Sequence, residues 1–224
     1  MKLLKNKPLR IACDGESASG KSLASKLIGR KFHLFCLNSG LIYRYASFLI
    51  IKYKPKKIIS FLKKKFKNLD YKNISKLNLH THEISAHVAT LAKQKKVRKI
   101  VRSVQHAIIK KHPGIVVEGR DTQTSILVKK FRYTAAFYFE CKLSVASYRR
   151  WRDLKKKIPL ETVRKQLASR TAIDKKRRFN ALKKCPDAIV IRTHLLSKKQ
   201  MVEKMTREIN RKLLFKYGRN FKAR

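Results

Sequence analysis

The stretch Gly15-Glu16-Ser17-Ala18-Ser19-Gly20-Lys21-Ser22 decides the architecture. It fills every fixed position of the pattern G-x-x-x-x-G-K-[ST]. Residues 9–13 before it form a short apolar run, closed by Asp14, that reads as a buried strand. Residues 21–28 behind it have helical character, and Gly29 suits the end of that helix. Strand, glycine loop and helix together are the context in which such a loop binds phosphate. Gly15 and Gly20 let the backbone wrap closely, so that successive N–H groups point inward. The helix adds the positive end of its dipole. Lys21 then reaches the β- and γ-phosphates, and Ser22 offers a hydroxyl to Mg²⁺. The expected donor is therefore ATP with Mg²⁺, bound by the eight residues of the loop.

Working outward, short apolar runs alternate with helical patterns. Residues 32–37 read as a second strand and 41–52 as a helix. Residues 83–111 carry the rhythm of one long helix, stopped by His112-Pro113-Gly114. Strands follow at 115–117, 133–139 and 188–191, and helices at 143–154, 160–175 and 197–215. Such alternation predicts an α/β fold with a parallel sheet of about five strands flanked by helices. One kinase-like domain is expected, with a core of residues 9–53 and 83–215. The lysine-rich, acid-poor stretch 54–82 reads as an insert covering a site.

The charge balance is extreme, with 58 Lys and Arg against 13 Asp and Glu, or +45. A chain so basic attracts polyanions, either a nucleic acid or an anionic nucleotide, unless the excess is simply a lysine-rich solvated surface. Cys13, Cys36, Cys141 and Cys185 form no CxxC pair and read as reduced, mostly buried side chains. The seven histidines show no metal-ligand spacing. The N-terminal apolar stretch is broken by Lys5, Asn6, Lys7, Pro8 and Arg10, unlike a secretory signal. A soluble, cytoplasmic protein is expected.

Other polar clusters speak to the acceptor. The run Ile115-Val116-Val117-Glu118 is an apolar strand ending in an acid, suited to hold Mg²⁺ through water. Gly119-Arg120-Asp121 follows directly. Arg44, after the second strand, is placed where strand carboxyl ends form the ligand crevice and could grip a phosphate with two bonds. Arg170, Asp174 and Arg177 are spaced to share one helical face. In a chain this poor in acids, the placement of Asp14, Glu16, Glu118, Asp121 and Asp174 in these segments is informative.

Taken together, residues 11–22 (IACDGESASGKS), 37–44 (LNSGLIYR), 96–100 (KVRKI), 118–121 (EGRD) and the Arg170/Asp174/Arg177 spacing resemble the bacterial cytidylate kinases. The resemblance covers nearly the whole chain. It implies that Ser39 and Tyr43 line the acceptor site, and that Arg44 and Arg120 hold the CMP phosphate. It places Arg98 and Asp121 on the cytosine side and Arg170 and Asp174 at the sugar. Arg177 bridges base and phosphates, and Arg149 and Arg150 belong to a mobile helical lid, about 146–175, that closes over ATP. The stretch 54–82 becomes a shortened form of the family's insert near the acceptor. There are departures. The family's Pro-Ser-Gly-Ala within the loop is Glu16-Ser17-Ala18-Ser19 here. Glu118 replaces an Asp, and Ala89 falls where a serine helps read cytosine. An arginine of the lid falls near Ala146.

The activity so implied is transfer of the γ-phosphoryl group of ATP to CMP or dCMP by a monomer. The acceptor phosphate is already anionic, so no strong base is needed, and Lys21, Arg120 and Arg177 carry the transfer by neutralising charge. Two other classes fit parts of the sequence: a kinase for another small acceptor such as UMP, AMP or shikimate, and a basic RNA-binding protein on a phosphate-loop scaffold. A kinase fold without activity is a third.

Overall fold

The computed structural model describes residues 8–218 of the chain. The polar C-terminal stretch 219–224 lies outside these residues. Five parallel strands form one sheet in the order β2-β3-β1-β4-β5. They are β1 (Arg10–Gly15), β2 (Phe35–Asn38), β3 (Ile115–Gly119), β4 (Ala135–Glu140) and β5 (Ile189–Arg192). The three central strands, β3, β1 and β4, are buried along almost their whole length, which explains their unbroken apolar runs. The nine helices among the described residues are α1 (Lys21–Phe32), α2 (Ser39–Tyr53), α3 (Ile58–Phe66), α4 (Tyr71–Ser75), α5 (His82–Leu91), α6 (Lys95–Lys111), α7 (Leu143–Asp153), α8 (Leu160–Lys176) and α9 (Lys198–Tyr217). None of them is long and apolar enough to cross a membrane.

The chain divides into two compact units. Among the described residues, one comprises 8–37 and 112–218, the other 38–111. In the first, α1 and α9 cover the sheet. Ala24, Ile28 and Phe32 of α1 and Met201, Met205, Ile209 and Leu213 of α9 pack with Ile11, Cys13, Val116, Phe137 and Phe139. A capping box at Ser197 and Gln200 starts α9. In the second unit, α2 packs on α5 and α3 on α6. The insert-like stretch 54–82 lies within this unit and folds into α3 and α4.

Three local expectations are corrected. Gly29 does not end α1, which runs on to Phe32 and is capped by His33 in the left-handed region. A Cβ at Gly29 would collide with Sγ of Cys36, so the glycine serves close packing of helix on strand. Phe32 consequently belongs to the helix and its core, and β2 begins only at Phe35. The single helix at 83–111 is two. Tight i to i+3 bonds, Lys93 N–H to Thr90 O and Gln94 N–H to Leu91 O, end α5. Arg98 of α6 then donates to the Ala92 carbonyl at 3.1 Å, satisfying an acceptor that a continuous helix would have used. Finally, α8 stops at Lys176, and Arg177 is extended at φ −57° and ψ 134°, so Arg170, Asp174 and Arg177 do not share one helical face.

Candidate active site

The loop between β1 and α1 is shaped by backbone conformations its glycines permit and one alanine does not. Gly20 sits at φ 82° and leads into the first turn of α1, whose amides have no intrahelical acceptor. Ala18 holds φ 56°, a left-handed conformation unfavourable for a residue with a Cβ. The Ser19 hydroxyl is buried and makes no hydrogen bond. Lys21 is buried and donates to the Glu16 carbonyl at 2.9 Å. Burial, and then repulsion from Arg120, lowers its ammonium below the usual lysine range. An incoming phosphate would favour the charged form.

Pairing of β1 with β3 aligns Cys13 with Glu118 and Asp14 with Gly119, which sets the acid of β3 beside the loop. Glu118 is buried; burial raises its carboxyl, against the pull of Lys21 and a hydrogen bond with Ser22. Its Oε2 makes no hydrogen bond. A serine hydroxyl beside a buried carboxylate oxygen with spare capacity is a hard-oxygen donor set that suits Mg²⁺.

Asp14, the acid before the loop, has a part that sequence reasoning missed. Its two carboxylate oxygens accept from the backbone N–H groups of Thr122 and Gln123, at 2.9 and 2.8 Å. Those residues open a short π-helical turn, Thr122–Ile126, also unforeseen. Asp14 so fixes the chain two and three residues after Arg120. Burial raises its carboxyl to about 6, against those same bonds. Asp121 is turned inward, where its Oδ2 accepts from the Ser125 hydroxyl.

Three guanidiniums gather on one carboxylate. Arg120 Nε donates to Asp174 Oδ2 at 2.8 Å, Arg177 Nη1 lies 3.5 Å from Oδ1, and Arg170 Nε 3.8 Å from Oδ2. Burial alone would raise the Asp174 carboxyl, but the guanidiniums, Arg120 foremost, hold it below the ordinary range. Three positive charges on one negative leave a local excess of about two, an arrangement suited to an anion such as phosphate. Arg120 also donates to the Ser17 hydroxyl at 3.1 Å, tying this cluster to the phosphate loop. A second tie, Lys175 Nζ to Glu16 Oε1 at 2.6 Å, had no signal in the sequence.

A cavity of about 530 Å³ opens beside the loop, lined by residues 18–23, Arg149, Arg150, Thr193, Leu196 and Met201. Arg149 and Arg150 are carried by α7, which packs on α8, so the stretch read as a lid is this helix pair.

The remaining expected residues lie in the second unit. Arg44 donates to the Leu79 carbonyl at 3.1 Å and the Ser85 hydroxyl at 2.8 Å. Arg98 is buried, with its guanidinium 5.6 Å from the Tyr43 ring centre. Ser39 is buried and its hydroxyl makes no hydrogen bond.

Known proteins share this chain's sequence over most of its length. The family model described as cytidylate kinase matches residues 11–211. A cytidylate kinase of Mesomycoplasma hyopneumoniae (strain 232) is 30% identical over 227 residues, covering 92% of this chain and 96% of that one. A cytidylate kinase of Clostridium botulinum (strain Loch Maree / Type A3) is 31% identical over 218 residues, with 91% and 98% covered. A solved Thermus thermophilus structure aligns with a TM-score of 0.51 at 15% identity, over 93% of this chain and 99% of that one, and shows a shared fold alone. With the match running from the strand before the phosphate loop to beyond the arginine cluster, the chain belongs to the cytidylate kinase family.

Proposed function

We propose that this protein transfers the γ-phosphoryl group of ATP to CMP or dCMP, forming ADP and CDP or dCDP. The observation that carries this reading is the direct link from the phosphate loop, through Ser17 and Arg120, to the three guanidiniums around Asp174. The loop supplies a seat for the donor and the arginine cluster a seat for a second anion.

An oxygen of the acceptor phosphate attacks the γ-phosphorus, and the bond from that phosphorus to the β–γ bridging oxygen breaks, leaving ADP. Two anions must approach each other, so the work is positioning and neutralisation of charge. Lys21 serves the β- and γ-oxygens. Arg120 and Arg177 serve the phosphate that accepts, a role that the family resemblance also gives to Arg44. Arg170 and Asp174 serve the sugar, and Arg98, Asp121, Ser39 and Tyr43 the acceptor's base and surroundings. Arg149 and Arg150 cover the donor and help exclude water, which would otherwise take the phosphoryl group. Ser22, and Glu118 through water, would hold Mg²⁺, which when bound supplies further charge neutralisation on the phosphates. We take the protein to act as a monomer in the cytoplasm, where its substrates are found.

The test is ATP-dependent release of ADP with CMP, dCMP, UMP and AMP as acceptors. Turnover with CMP and dCMP well above UMP and AMP is expected. Preference for AMP, or no acceptor-dependent ADP with any of the four, would overturn the assignment.

A further inference from the structure

Thr193 follows β5 directly, and nothing in the phosphate-loop pattern calls for it. It is only 4% exposed. Its N–H donates to the Glu140 carbonyl at 3.0 Å, which continues the pairing of β4 with β5 and fixes its place. Its hydroxyl donates to the Ser19 carbonyl at 2.9 Å, inside the phosphate loop. The same oxygen accepts from Arg149 Nη1 at 3.2 Å, and the Thr193 carbonyl accepts from Arg149 Nη2 at 3.0 Å. The single hydroxyl proton is therefore committed to the loop and a lone pair to the arginine. The methyl lies against the backbone of Gly20, 3.5 Å from where a Cβ would stand. One small residue thus touches the loop at two consecutive positions and offers a guanidinium two acceptors, its hydroxyl and its main-chain carbonyl.

We propose that Thr193 is a positioning residue for phosphoryl transfer, holding Arg149 against the phosphate loop so that the guanidinium is in place when the donor arrives. The proposal rests on the reading of the loop as the ATP site. Arg149 lies in an exposed position of α7, and an arginine there would ordinarily sample many rotamers. Two hydrogen bonds to a fixed strand end remove most of that freedom before binding, so less order is lost when the cation meets the phosphates. Because the hydroxyl also holds the Ser19 carbonyl, a shift of the loop and a shift of the arginine are felt by one atom. The bland reading is that Thr193 only braces the loop. In that case its loss would be felt whether or not Arg149 is present.

A double-mutant cycle separates the two. Thr193→Val keeps the shape and methyl contact and loses the hydroxyl; Arg149→Ala removes its partner. Thr193→Val is expected to raise the KM for ATP and lower kcat/KM by about tenfold, a modest misplacement by enzyme standards, with the KM for CMP little changed. In the Arg149→Ala background the same change should cost less than about twofold. Thr193→Ser, which retains the hydroxyl, should recover most of the loss. Wild-type kinetics in Thr193→Val, an equal loss with and without Arg149, or a failure of serine to rescue would each overturn the proposal. Should the valine variant not fold, Thr193→Ala enters the same cycle. Titration with a fluorescent ATP analogue reads the coupling without an acceptor. A wrong acceptor assignment would abolish CMP-dependent ADP release while leaving that coupling intact. Absence of any ATP binding by the wild type would remove the proposal with the donor reading.

Discussion

Replacing Asp174 by Asn removes the carboxylate that three guanidiniums share, with little change of shape. The Asp174 side chain is 5% exposed, and its cations lie at 2.8, 3.5 and 3.8 Å. Removing one partner of a buried ion pair costs about 3–5 kcal/mol, because the other is left uncompensated. Arg120 and Arg170 retain some water, at 21% and 25% exposure, which argues for the lower end, about 3 kcal/mol. The local charge rises from about +2 to +3 in the variant, so an added anion should restore much of the loss. Phosphate at a hundred times its dissociation constant stabilises by about 2.7 kcal/mol. The pH dependence has a fixed sign. The Asp174 carboxyl is held below its ordinary 3.8, so its contribution is present above that value and is lost as pH falls through the lower, folded-state value. Asp14, raised to about 6, acts in the opposite sense, and subtracting the variant's profile from the wild type's isolates Asp174. Urea unfolding in phosphate and in chloride of equal ionic strength, across acid to neutral pH, measures all of this. A loss under about 1 kcal/mol, or equal stability in the two anions, would refute the account of the cluster as a charge-rich seat for phosphate.

Lys21→Ala should lower kcat by about two to three orders of magnitude, the scale for removing one preorganised charge partner of a transition state. Thermal melting should show the fold intact, since the side chain's one hydrogen bond is to the loop itself. Ala18→Gly should stabilise the protein by up to about 1 kcal/mol: the left-handed backbone at φ 56° costs an alanine about 1–2 kcal/mol, partly offset by the greater chain entropy of glycine. Denaturant melts that show a loss of stability in this variant would count against strain at Ala18.

The parts of the site that lie contiguously in the sequence were legible there. Eight consecutive residues carry the loop, and Glu118, Arg120 and Asp121 are announced by the apolar strand before them. The helix break at 92–94 was not legible, because no glycine or proline marks it and a side chain from the next helix supplies the cap. Gly29 misled because a glycine that permits close packing against Cys36 looks the same in sequence as one that ends a helix. Arg177 reaches the Asp174 carboxylate from beyond the helix end rather than along the helical face that its spacing suggests. Thr193 and the Glu16–Lys175 pair had no local signal, since their partners stand 174 and 159 residues away and meet only through the sheet and the end of α8.

The strand order has a consequence for the chain as it is made. The first two strands to be synthesised, β1 and β2, are not neighbours; β3 lies between them. Until β3 has emerged, neither has a partner, and the sheet can begin only after all of the second unit has been produced. A nascent chain ending before residue 115 therefore exposes two unpaired strands and a phosphate loop with nothing to brace it. Pairing then requires closure of a long loop, which slows folding. A chain stalled on the ribosome in that window would be the aggregation-prone form, and the arrival of β3, with Glu118 and Arg120 at its end, would complete the sheet and begin the assembly of the site.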